Sequence, residues 1–305
     1  MNKEDSTRKG LIYAIIAFGL WGFGPIYFKA VATVQPLEVL AHRVIWSLIF
    51  LALVIGWKRN WSALQRLLTE RKKLPLLFAT SVIISVNWLV FIWAVSNDLI
   101  LEATLGYFIN PLFSVLLGMM FLGERLRPLQ GVAIAIAVLG VVNQIVIFGE
   151  LPLVALVLAV TFGFYGLLRK IAAVDPVHGL TVETLLMLPF ALIFLFWLNS
   201  TGAMSFIHSG TTMDILLIAA GLVTAIPLIY FAAATNHLSL TVLGLFQYLA
   251  PSIGFLLAIF LYHEPFGAAQ AVTFSTIWFA LALFSLEGWR SRRRKSSLEV
   301  VLENN

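Results

Sequence analysis

Residues 101–126 read LEATLGYFINPLFSVLLGMMFLGERL. About 20 residues, rising about 1.5 Å each, cross the hydrocarbon core of a bilayer, and this run is long enough to do so. It nevertheless carries Glu102, Tyr107, Asn110, Pro111 and Ser114, and closes on Gly123-Glu124-Arg125. A helix facing only lipid needs no carboxylate, amide or proline. The pattern returns at a constant offset of 140 residues: Pro111 falls on Pro251, Glu124 on Glu264, Gln130 on Gln270, Pro36 on Pro176 and Phe91 on Phe231. Matched leucines would mean little in such apolar sequence. Matched Pro, Glu and Gln in one register mark two copies of one unit.

Composition excludes most alternatives. The chain is 60% apolar and 11% charged, with a mean hydropathy of +0.95, whereas a soluble domain carries about 25% charge. The net charge of +5 does not suggest nucleic acid, because the basic residues lie between and beyond apolar runs rather than on one face. The absence of cysteine removes disulfides, thiolate zinc sites and thiol catalysis. No metal or cofactor is expected. The N-terminal run mimics a signal peptide, with Ala30-Val31-Ala32 resembling a cleavage site. Its apolar part is too long for that role, so it is expected to remain as a first span.

Ten apolar segments follow: 10–33, 37–57, 75–95, 99–122, 128–146, 152–171, 176–199, 213–236, 239–262 and 268–288. In lipid each must be helical so that its backbone groups are satisfied internally. The expected fold is therefore all-α: ten transmembrane helices in two five-helix repeats, residues 10–146 and 150–288. A short tail, 1–9, precedes them, and a basic tail without structure, 289–305, follows. Orientation is read from Lys and Arg. With the N-terminus cytoplasmic, every basic residue except Lys29 and Arg43 falls on the cytoplasmic side, and both termini are cytoplasmic. An odd number of spans per copy makes the repeats antiparallel, the arrangement on which many secondary transporters build alternating access.

Several polar residues lie inside the spans. Gly19, Gly22, Gly24 and Pro25 weaken the first helix, either to line a cavity or to allow close packing. Tyr107, Asn110, Ser114 and Gly118 share a face of the fourth segment. Gln247, Ala250, Gly254 and Ala258 are their counterparts in the ninth, with Tyr248 adjacent. Trp21, Asn87, Tyr107, Asn110, Gln247 and Tyr248 form the expected contact set for a small-molecule substrate. Neither sign of charge dominates this set, so a neutral, zwitterionic or weakly amphiphilic solute is expected. Arg43 lies about 9 Å inside the outer boundary and Glu102 about 5 Å. They are expected to pair and to serve as a gate or coupling site, since a charge inside a span is a functional-site hypothesis by default. Glu183, the counterpart of Arg43, belongs to the same group. It lies in the inner half, roughly 10 Å from Arg43 along the normal in a core of about 30 Å.

The stretches KGLIYAIIAFGLWGFGPIYFK (9–29), LEVLAHRVIWS (37–47), NWLVFIWAV (87–95), LEATLGYFINPL (101–112) and FLGERLR (121–127) resemble the EamA branch of the drug/metabolite transporter superfamily. The resemblance runs over about residues 8–290 and leaves only the tails unmatched. It implies a ten-helix inner-membrane permease of two EamA repeats, a secondary carrier that exports small metabolites or drugs. Protons are a candidate coupling ion. A non-transporting sensor or scaffold is the alternative, and a membrane-embedded enzyme a weaker one, since no HExxH motif, nucleophile turn or buried Asp pair is present.

Overall fold

A computed structural model describes residues 3–123, 128–148, 151–235, 237 and 246–303. Glu124, Arg125 and the start of the ninth segment lie outside the described residues. Everything regular among those residues is helix. The chain runs through α1 (Lys3–Gly22), α2 (Gly24–Ala30), α3 (Pro36–Trp57), α4 (Trp61–Thr69), α5 (Leu74–Ser96) and α6 (Ile100–Leu122). It continues through α7 (Pro128–Phe148), α8 (Leu153–Ala172), α9 (Pro176–Ser200) and α10 (Thr211–Thr235). Then come α11 (Leu249–Leu256), extended by a π-helical turn (Leu257–Leu261), and α12 (Ala268–Glu303).

Among the described residues, seven helical stretches are long and apolar enough to cross a membrane: Arg8–Ala30, Pro36–Trp57, Leu74–Ser96, Ile100–Phe121, Leu153–Ala172, Pro176–Ser200 and Thr211–Phe231. Shorter apolar stretches, Gly131–Asn143, Leu249–Leu261 and Ala268–Phe284, fall on the fifth, ninth and tenth predicted segments.

Three local departures from expectation have physical causes. The first segment is broken at Phe23, because Pro25 has no N–H to donate to the carbonyl one turn back. The break starts α2 afresh, with Pro25 in its first turn. The loop after α3 forms the short helix α4, which buries Leu64 and Leu67 against Ile55, Leu77 and Val182. The basic tail, expected to lack structure, continues α12 as helix to Glu303. Arg, Lys and Glu are good helix formers, and extending an existing helix carries no nucleation cost.

Helices from the two halves interleave. Here α1 packs on α10 and α11; α8 packs on α5 and α6; α3 packs on α9 and α10; α6 packs on α11; and α7 packs on α12. Glycine allows the closest of these approaches. A Cβ on Gly221 would lie 2.4 Å from the Trp46 backbone, and one on Gly106 would lie 2.6 Å from the Ala155 carbonyl oxygen. The main core runs through α2, α3, α5, α6 and α12, with Phe28, Val39, Ile92, Leu105, Phe108 and Phe274 buried in it. Asp175 caps α9, accepting from the backbone N–H of Val177 at 3.1 Å and of His178 at 3.0 Å.

Candidate functional site

Arg43 sits in the second turn of α3 and is buried, with 7% exposure. Its guanidinium lies 4.0 Å from the ring centroid of Trp88 on α5 and 5.5 Å from that of Phe28 on α2. Tyr27 on α2 and Tyr107 on α6 are within electrostatic reach. The break at Phe23 thus has a structural result, because it lets α2 present two aromatic rings to this arginine. The Tyr27 hydroxyl donates to the Leu216 carbonyl at 2.8 Å, tying α2 to α10.

Beside this cage, Asn87 uses both ends of its amide. It donates to the Leu158 carbonyl at 3.1 Å and to Thr161 Oγ1 at 2.9 Å, and accepts from the Tyr107 hydroxyl at 3.1 Å. Asn87 therefore joins α5, α6 and α8. Asn87→Leu should lower the melting temperature of the purified protein, with a cost of about 1–3 kcal/mol from stranded partners. Tyr107→Phe, which leaves the two donated bonds in place, should cost less. An unchanged melting temperature for Asn87→Leu would show that the amide holds nothing together.

The expected pair of Arg43 with Glu102 is not formed. Glu102 Oε1 accepts from the backbone N–H of Val154, at the start of α8, at 3.0 Å, and no ion pair among the described residues includes Arg43. The physical reason is competition. The first N–H groups of a helix have no partner within it, and in a bundle closed to water a carboxylate is the strongest available acceptor. Carboxylates serve other backbone N–H groups too, at a loop in one case and at a helix start in the other. Glu38 Oε1 accepts from Ser205 and Phe206 at 2.8 and 3.0 Å. Glu264 accepts from Ile100 and Leu101, at the start of α6, at 2.7 and 2.8 Å. Glu264 is buried.

Glu183 pairs with an arginine. Its side chain is 1% exposed and lies 3.5 Å from Arg169 Nη1. Thr80 donates to Oε1 at 2.7 Å and Tyr165 to Oε2 at 3.2 Å. These partners come from α5, α8 and α9. Thr80 and Asn87 lie two turns apart on α5, while Thr161, Tyr165 and Arg169 follow at single turns on α8. Two polar clusters therefore lie along the contact of α5 and α8, one beside the Arg43 cage and one around Glu183.

The predicted contact set divides. Asn87 and Tyr107 join the Arg43 cage. Asn110 is buried and accepts from Ser114 Oγ at 3.3 Å. Trp21 packs instead with Phe18 and Phe231, and Tyr248 stacks on Phe108 with centroids 6.5 Å apart. Gln247 is half-buried at the start of α11. A Cβ on Gly254 would lie 2.9 Å from Thr104 Oγ1, so this small residue serves close packing of α11 on α6. Trp88, Phe28 and Tyr27 were missed as site residues. The signal available was the aromatic density around the glycine-proline break.

Buried, hydrogen-bonded polar clusters inside a bundle of apolar spans are the architecture of a multi-pass membrane transporter, and comparison with known proteins agrees. The EamA-like transporter family matches residues 8–143. The chain is 47% identical to an uncharacterized transporter of Vibrio cholerae over 288 residues, covering 94% of this chain and 95% of that one. It is 46% identical to the protein RarD of Escherichia coli K12 over 290 residues, covering 95% and 98%. It is also 33% identical to the chloramphenicol-sensitive protein RarD of Pseudomonas aeruginosa over 291 residues, covering 94% and 96%. The chain belongs to the EamA-like transporter family, in the group that includes the RarD proteins. A solved structure at 19% identity superposes with a TM-score of 0.61, covering 92% of this chain and 98% of that one, a likeness of fold.

Proposed function

We propose that this protein is a secondary-active permease of the drug/metabolite type, built from two inverted five-helix repeats and exporting a small solute by alternating access. The observation that carries this reading is the pairing of helices. A shift of 140 residues maps α1, α3, α5, α6 and α7 onto α8, α9, α10, α11 and α12. The packing of α1 on α10 then corresponds to that of α8 on α5, α1 on α11 to α8 on α6, and α3 on α10 to α9 on α5. The pairs α3–α9, α6–α11 and α7–α12 map onto themselves. A two-fold axis in the membrane plane generates this pattern, and it is the symmetry on which rocking carriers turn. The charges agree with it. Lys29, paired with Asp98, and Arg169, paired with Glu183, are also 140 residues apart, which inversion assigns to opposite membrane faces.

The solute is small, and neutral, zwitterionic or amphiphilic. It binds beside the Asn87–Tyr107 cluster, and the proton is the coupling ion, with Arg43, Glu102 and Glu183 as the gating and coupling candidates. The test is an untargeted comparison of metabolites released by overexpressing and deletion cells. One or a few compounds should accumulate outside the first and inside the second, and identical profiles would remove the carrier reading.

The inner membrane of a bacterium, with both termini cytoplasmic, is the proposed setting. Because the chain has no cysteine, single cysteines can report its orientation. Asn97→Cys and Gly210→Cys should react with an impermeant thiol reagent outside intact cells, whereas Gln65→Cys and Ser296→Cys should react only after permeabilisation. Labelling of Gln65→Cys in sealed cells would reverse the topology.

A further inference from the structure

Arg43 carries a full charge within a span and has no carboxylate beside it. Two other cations in the apolar spans are matched, Lys29 by Asp98 and Arg169 by Glu183. Glu38, Glu102 and Glu264 accept from backbone N–H groups and none forms an ion pair with Arg43, although Glu38 Oε2 is itself buried without a hydrogen bond. The Arg43 Nε atom is buried and makes no hydrogen bond. The rings of Trp88 and Phe28 attract the guanidinium through their faces, but they supply neither an acceptor for Nε nor a neutralising charge. The neighbouring hydroxyls donate elsewhere, Tyr27 to Leu216 and Tyr107 to Asn87, and neither oxygen accepts from Arg43.

We propose that Arg43 docks the anionic group of the transported solute, a singly charged organic acid whose flat apolar body lies among Trp88, Phe28, Tyr27 and Tyr107. This rests on the carrier reading above and narrows the substrate class within it. A carboxylate is the natural partner, because it matches the planar guanidinium in two parallel hydrogen bonds. A cation is excluded by the charge already present. A neutral oxygen acceptor would satisfy Nε but leave the charge unmatched. Binding an organic acid neutralises the site while the solute is held there.

The test uses the purified full-length protein and two probes of the same shape, benzoate and benzamide, with chloride and sulfate as inorganic controls. Thermal unfolding is followed as each is titrated, since a ligand that binds only the folded state raises the midpoint. Benzoate should bind wild type at least about tenfold more tightly than benzamide, the value of charge-assisted hydrogen bonds. Arg43→Gln should bring that ratio to about one, and Arg43→Lys should retain part of it. Ligand-free Arg43→Gln should melt no lower than wild type, because it removes an unmatched charge. Equal responses to benzoate and benzamide in wild type, or a benzoate response kept in Arg43→Gln, would overturn the proposal. An equal shift with chloride or sulfate would also overturn it, by making the counter-ion inorganic. Failure here alongside a normal difference in exported metabolites removes the anion site and leaves the carrier standing, whereas identical metabolite profiles alongside selective benzoate binding do the reverse.

Discussion

Glu183→Ala is expected to deplete folded protein in the membrane and to abolish transport. The carboxylate sits at the junction of α5, α8 and α9, where it faces Arg169 at 3.5 Å and accepts from Thr80 and Tyr165. Its loss leaves the Arg169 guanidinium, 15% exposed, beside two hydroxyls whose acceptor has gone. Breaking a buried pair from one side costs about 3–5 kcal/mol, whereas removing both charges together is far milder. The double variant Glu183→Gln, Arg169→Gln should therefore recover most of the lost protein. If the single and double variants were equally depleted, the loss would lie in packing rather than in a stranded charge. Coupling is tested separately with Glu183→Gln, which keeps acceptor and donor capacity for Thr80 and Tyr165. In proteoliposomes it should lose flux driven by an imposed pH gradient and keep solute exchange. Full gradient-driven flux in Glu183→Gln would leave this acid as a brace between helices.

Gly221→Ala is the second change expected to be severe, for a steric reason. A Cβ there would stand 2.4 Å from the carbonyl carbon and 2.6 Å from both the Cβ and the oxygen of Trp46. Two of these three atoms are backbone, so no side chain can rotate away, and α3 and α10 must separate. Overpacking of this kind costs about 1–3 kcal/mol and occasionally more. The displacement would reach the Arg43 cage, because α3 carries Arg43 and α10 supplies the carbonyl that holds Tyr27. Gly106→Ala should behave alike at the α6–α8 contact. Gly166→Ala, in open space on α8, is the control and should be neutral or slightly stabilising, since glycine inside a helix costs about 0.5–1 kcal/mol relative to alanine. The measurement is the melting temperature of each purified variant. A Gly221→Ala protein as stable as the Gly166→Ala control would show that the helices do not approach so closely.

The sequence by itself determined the class. Apolar length and sparse charge are local properties, each imposed by the bilayer on the segment that carries it, so the helical spans could be read without their neighbours. The 140-residue register of Pro, Glu and Gln was legible for the same reason, and so was the weak point at Gly22–Pro25, where a missing N–H is a property of one residue. Asn87 and Tyr107 were identified as polar groups at mid-depth, and the structure brings them together. What only the tertiary structure decided was which group each acid meets. Depth alone favoured Glu102 for Arg43, yet Glu102 goes to Val154, Glu38 to Ser205 and Phe206, and Glu264 to Ile100 and Leu101. These partners lie 52 to 168 residues away, so no local pattern encodes them. Helix starts in a dry bundle expose N–H groups that must be satisfied, and folding allots carboxylates to those that lie within reach. Arg43 is left to the aromatic rings because the competing acceptors are fixed by long-range packing.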